Sequence, residues 1–105
     1  MPTSTTMSLI KKRILIADDH EIVRHGVRNL IASVPGYECC AEATTGRDAV
    51  RLVQELLPDI AILDISMPEL NGIEAARQIL KVCPQTKILI FTVHDAERLV
   101  YEVFN

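Results

Sequence analysis

Three uninterrupted apolar runs, residues 14–17, 60–63 and 88–91, constrain this chain more than any other feature. Each is too short for a helix of its own, and none alternates with polar residues, which is the pattern of strands covered on both faces. A fourth segment, residues 37–43, alternates in part and suits the edge of a sheet. The sequence therefore predicts strands over 13–18, 37–43, 59–64 and 86–92. Between them, apolar residues recur at helical spacing: Val23, Val27, Leu30, Ile31 and Val34; then Ala49, Val53, Leu56 and Leu57; then Ile73, Ala76, Leu80 and Cys83. A further helix is expected to begin near Ala96. Strands alternating with helices specify an α/β, doubly wound parallel sheet, and right-handed crossovers give it the order 2-1-3-4.

Local punctuation agrees with this division. Thr45 followed by Asp48, and Asn71 followed by Glu74, set a capping oxygen and a carboxylate where the free amides and the dipole of a helix start favour them. Pro35-Gly36, Pro58 and Pro84 each stop a preceding helix.

Composition narrows the function. The 105 residues carry a net charge of −3, which gives no general attraction to nucleic acid or to an anionic membrane. The short basic run Lys11-Lys12-Arg13 reads as a solvated strand entrance. Cys39, Cys40 and Cys83 lack metal-ligand spacing, and no secretory signal or membrane span is evident, so a cytoplasmic protein is expected. Residues 1–10 are expected to be a disordered tail, with Met7 as an alternative start, ahead of one domain over 11–105.

Chemistry in such sheets collects beyond the carboxyl ends of the strands, where strand order reverses. Asp18 and Asp19 follow the first strand, Asp64 ends the third and Thr92 ends the fourth. Strands one and three are expected to be neighbours, so three carboxylates converge on one mouth. Two like charges about 4 Å apart repel by roughly 4 kcal/mol at an effective dielectric of ~20, so the cluster calls for a counter-ion. A hard cation such as Mg²⁺ meets that need with few protein ligands. The plainer reading has Asp18 and Asp19 capping the next helix. Beside a bound cation Asp64 can attack phosphorus, and Thr92 can donate to a phosphoryl oxygen. The loop from Ile65 to Gly72 can present the Ser66 carbonyl to the same cation, although Pro68 and Gly72 equally suit an ordinary connector.

Asp18-Asp19-His20, the segment 58–72 and Phe91-Thr92 resemble the receiver domain of bacterial two-component response regulators, and residues 18–28 resemble its NarL/FixJ (LuxR-type) branch. The resemblance implies a flavodoxin-like, CheY-like fold over 11–105. It also implies Asp64 as phosphoacceptor, Asp19 as a direct Mg²⁺ ligand, Asp18 acting largely through water, the Ser66 carbonyl as main-chain ligand and Thr92 as switch hydroxyl. The phosphoryl group would come from a sensor histidine kinase, and the output would be transcriptional. Receivers also carry a phosphate-pairing lysine after a fifth strand. No lysine here fits, because Lys81 lies in a helix and Lys87 at the wrong end of a strand. The resemblance thus implies a receiver that stops before its fifth strand and helix, with contact to DNA only through an output domain outside these residues.

Two other classes follow from the residues. An interaction module, self-associating through the open edge beside strand four without phosphotransfer, is the main alternative. A phosphatase with an aspartyl nucleophile ranks last, since no second acid follows Asp64 closely. His94 and Ser66 are expected to tune acyl phosphate hydrolysis through water access. His20 and His25 read as a loop residue and an exposed helical residue, not as metal ligands.

Overall fold

In a computed structural model, the backbone is described for residues 11–94 and 98–104, and the expected tail over 1–10 lies outside them. The elements are β1 (Lys12–Ala17), α1 (Glu21–Ala32), β2 (Tyr37–Ala43), α2 (Gly46–Leu56), β3 (Ile60–Asp64), α3 (Gly72–Val82), β4 (Lys87–His94) and β5 (Arg98–Phe104). Strands β2, β1, β3 and β4 pair in that order and all in parallel, as the sequence predicts.

The two sheet faces follow from the period-two alternation of strand side chains. Leu15, Ala17, Ala61, Leu63, Ile88 and Ile90 point to one side and are buried under Ala49 and Val53 of α2 and Ala75, Ala76 and Ile79 of α3. Ile14 and Ile16 point to the other side, where α1 supplies Ile31 and Val27. This second layer is thin. Leu30, expected in the core, is 68% exposed, because one helix over this face cannot enclose every apolar side chain it carries.

The helix boundaries have the local causes that the sequence suggests. Thr45 Oγ1 accepts the Asp48 amide at 3.0 Å, and Asn71 Oδ1 accepts the Glu74 amide at 2.9 Å. Leu57 ends α2 in the left-handed region at φ 49° and is exposed, directly ahead of Pro58. Arg13 is more than a solvated entrance: its Nη1 donates to the Leu56 carbonyl at 2.7 Å, satisfying the end of α2. Thr45→Ala is expected to lower stability by about 1 kcal/mol, since it orphans one helix amide, and urea denaturation measures the change.

One expectation is corrected. The helix expected from Ala96 is absent from the described residues, and Arg98–Phe104 forms β5, antiparallel to β4 from Ile88↔Phe104 to His94↔Arg98. Leu99, Val100, Val103 and Phe104 fit a helical face, but the segment is rich in β-branched and aromatic residues. The unpaired groups along β4 offered it a full ladder, and tertiary pairing overrode periodicity. The sheet therefore has a fifth, antiparallel strand, and the edge beside β4, on which the self-association alternative rested, is occupied.

Candidate functional site

Strand register brings the acidic residues together. Ala17 pairs with Leu63, so the next residues, Asp18 and Asp64, leave adjacent strands side by side. Asp18 continues the ladder through its amide, which donates to the Ala43 carbonyl at 3.0 Å. By alternation Asp18 follows Ile14 and Ile16, and Asp64 follows Ile60 and Ile62, so both emerge on the α1 side of the sheet. Arg24 fixes the turn out of β1: Nη1 donates to the Asp18 carbonyl at 2.9 Å while Nε donates to Glu42 at 3.1 Å.

Four side chains converge there. Asp18, Asp19, His20 and Asp64 each offer one ligand atom, and these atoms lie within 4.8 Å of one another. Asp18 and Asp64 are buried, whereas Asp19 and His20 are exposed at the rim. Neither Asp18 nor Asp19 caps α1 in the ordinary way, because Asp18 Oδ1 takes the amide of His20, itself the N-cap residue, at 2.7 Å. The other oxygen, Asp18 Oδ2, is buried with no hydrogen-bond partner among the described residues. A buried, unpaired carboxylate oxygen is costly, and it faces this cost next to a second buried carboxylate.

The electrostatics reflect that crowding. Burial, and then the charge of Asp18, push Asp64 up to about 6, against the opposing pull of the Ser66 amide and of His20. The Ser66 amide lies 3.4 Å from Asp64 Oδ1. His20 is held above its ordinary value by its hydrogen bond to Asp18 and by the charges of Asp18 and Asp19. Its Nδ1 lies 2.8 Å from Asp18, 3.1 Å from Asp19 and 3.9 Å from Asp64.

The loop after β3 holds Asp64 in place by backbone contacts. The Ile65 amide donates to the Phe91 carbonyl at 2.9 Å, and the Gly72 amide returns to the Ile65 carbonyl at 2.9 Å. Glu69 turns the chain at φ 70°. Gly72 packs against Asp64 so closely that a Cβ there would fall on the Asp64 carbonyl.

Of the sequence-predicted residues, Asp18, Asp19 and Asp64 share the mouth. Ser66 is exposed at its rim, with its amide toward Asp64. Thr92 is half-buried one residue beyond Phe91, the register partner of Asp64, and among the described residues it makes no hydrogen bond to the acidic cluster. Lys87 opens β4, at the far end from the mouth, and Lys81 is exposed in the last turn of α3. The side chain of His94 lies outside the described residues. His25 is exposed on α1, bonded to Arg28 and Asn29. Two contributions escape a sequence reading: His20 enters the cluster and Arg24 anchors its backbone. The only signal for either is proximity to Asp18 and Asp19.

The donor set fits a hard divalent cation. Two buried carboxylates, one of them with an oxygen unpartnered among the described residues, and a third carboxylate at the rim supply what such an ion takes.

Fold and site define a doubly wound α/β domain with an acidic mouth at its strand ends. The model of the response regulator receiver domain matches residues 14–105, and the chain belongs to that family. It is 40% identical to the transcriptional regulatory protein DegU of Brevibacillus brevis over 90% of this chain and 40% of that protein. It is 43% identical to the chemotaxis protein CheY of Thermotoga maritima over 90% of this chain and 78% of that one. Among solved structures, a LuxR-family two-component response regulator from Aurantimonas superposes with a TM-score of 0.76 at 46% identity, covering 81% of this chain and 61% of that one. The chain thus spans about two fifths of DegU but most of CheY. It is a receiver module of two-component signalling, and its relatives include transcriptional regulators. Among the described residues no helix is long and apolar enough to cross a membrane.

Proposed function

We propose that this domain accepts a phosphoryl group from a sensor histidine kinase onto Asp64, and that the acyl phosphate switches a transcriptional output in the cytoplasm through an output domain outside this chain. The observation that carries the reading is the pairing of buried Asp64 with buried Asp18, whose Oδ2 has no partner among the described residues, at the carboxyl ends of neighbouring strands.

In this reading Asp18, Asp19, Asp64 and the Ser66 carbonyl hold Mg²⁺. The bound ion would neutralise charge on the transferring oxygens. An Asp64 oxygen attacks the phosphorus of a phosphohistidine. The phosphorus–nitrogen bond breaks, its electron pair returns to the imidazole, and an aspartyl phosphate remains. Asp64 is suited to this because it is buried beside Asp18 at the mouth, where its oxygens are shielded from bulk water. The Ser66 amide, already directed at Asp64, is placed to donate to the phosphoryl group. The added charge of about −2 is the switch, with the Thr92 hydroxyl drawn toward it and the end of β4 moving in consequence. Ser66 and His94 control water access to the acyl phosphate. The receiver extends over 11–105, preceded by a tail over 1–10.

Incubation with acetyl phosphate and Mg²⁺ is expected to give hydroxylamine-sensitive phosphate incorporation. Chelation of the metal should abolish it, and so should Asp64→Asn. Incorporation that persists in Asp64→Asn contradicts the assignment.

A further inference from the structure

The metal reading above assigns only oxygen ligands, yet the imidazole of His20 stands inside the same cluster. In an octahedral site with bonds of about 2.1 Å, neighbouring ligand atoms lie about 3.0 Å apart and opposite ones about 4.2 Å. His20 Nδ1 is 2.8 Å from Asp18 Oδ1, 3.1 Å from Asp19 Oδ1 and 3.9 Å from Asp64 Oδ2. The 2.8 Å contact is a hydrogen bond here, and all three distances also match those between ligands of one octahedral ion, so Nδ1 stands where it could exchange that hydrogen bond for a metal bond. The buried Asp18 Oδ2, which has no hydrogen-bond partner among the described residues, is a separate observation that points to a cation at this cluster.

We propose that His20 Nδ1 is a fifth protein ligand beside Asp18, Asp19, Asp64 and the Ser66 carbonyl, making the mouth a mixed oxygen–imidazole site that prefers nitrogen-binding first-row divalent ions such as Co²⁺, Ni²⁺ and Zn²⁺ to Mg²⁺. The proposal rests on the metal reading and deepens it. Mg²⁺ takes oxygen and water and gains little from an imidazole, whereas first-row ions bind imidazole well. His20 can serve without distorting the fold, because it precedes the first residue of α1, makes no side-chain cap and is exposed. His25 provides an internal control, since it is exposed on α1 and bonded to Arg28 and Asn29.

The test is calorimetric titration of the untagged chain with Co²⁺ and separately with Mg²⁺, for wild type, His20→Ala, His25→Ala and Asp64→Asn. His20→Ala is expected to weaken Co²⁺ by about tenfold or more while moving Mg²⁺ by less than about twofold. His25→Ala should change neither. In the Co²⁺-loaded protein, a paramagnetically shifted imidazole N–H resonance should be present in wild type and His25→Ala and missing in His20→Ala. Equal weakening of both ions, or no change in Co²⁺ affinity, in His20→Ala overturns the proposal while Mg²⁺ binding sensitive to Asp64→Asn keeps the underlying reading intact. Absence of Mg²⁺ binding in wild type overturns both.

Discussion

Metal-free Asp64→Asn is expected to be more stable than the wild-type protein at neutral pH, by up to about 3 kcal/mol. Asp64 is raised to about 6 from an ordinary 3.8, first by burial and next by Asp18. The folded state therefore binds the proton more tightly than the unfolded chain. Stability from this group is fully present below about pH 4 and is lost as pH rises through about 6, where the buried carboxylate ionises beside Asp18. Asparagine keeps the shape and an acceptor for the Ser66 amide but carries no charge, so its stability should stay flat over that window. His20, also raised, loses its contribution in the same direction as pH rises, so the comparison belongs in a His20→Ala background. Urea titrations in chelator from pH 4 to 8 measure both curves. Saturating Mg²⁺ should shrink the difference at pH 7, because an ion bound to the folded state stabilises only the intact site. Curves that coincide across the window would contradict the electrostatic account.

Gly72→Ala should have a comparable effect of opposite sign, a loss of about 3 kcal/mol. The added methyl would meet the Asp64 carbonyl carbon at 2.8 Å and the Ile65 Cα at 2.9 Å, which are backbone atoms with no rotamer to yield. Relief requires moving either the start of α3 or the end of β3, and the latter carries Asp64. The gain of about 1 kcal/mol in helix propensity from glycine to alanine cannot offset this. Mg²⁺ affinity is expected to fall along with the thermal midpoint. Gly26→Ala is the contrast: Gly26 lies inside α1 with nothing within 4 Å of an added Cβ, so that change should stabilise by about 0.5–1 kcal/mol. A Gly72→Ala protein as stable as wild type would show that the close contact does not hold the site.

Why some features could be read from the residues and others not has a physical basis. Strands β1, β3 and β4 were legible because their apolar runs are covered on both faces and leave no alternation to misread, and β2 because its partial alternation suits an edge. Convergence of Asp18 with Asp64 was legible for a related reason: strands one and three must be neighbours, and period-two alternation carries both residues to one side. The place of His20 was not legible. Its imidazole reaches the carboxylates because the chain at the N-cap is extended, at φ −99° and ψ 114°, and residue type does not encode that geometry. Arg13 reads as a solvated charge and nothing in the sequence singles out Arg24, yet each reaches a backbone carbonyl that only the packed fold brings near. In Arg98–Phe104, helical spacing and strand-forming residue types conflicted, and the free edge of β4 decided between them. The resemblance to receivers supplied the role of Thr92, which among the described residues makes no hydrogen bond to the cluster.

The central claim is that the chain gathers its acidic residues so that Asp64, and no other side chain, receives phosphate with a divalent ion present. Borohydride reduction of the protein after acetyl phosphate treatment, followed by peptide mass spectrometry, locates the acyl phosphate directly. The account predicts reduction at position 64 alone, and only in samples containing Mg²⁺. Reduction at Asp18 or Asp19, or modification of Asp64 that proceeds equally well in chelator, would contradict it.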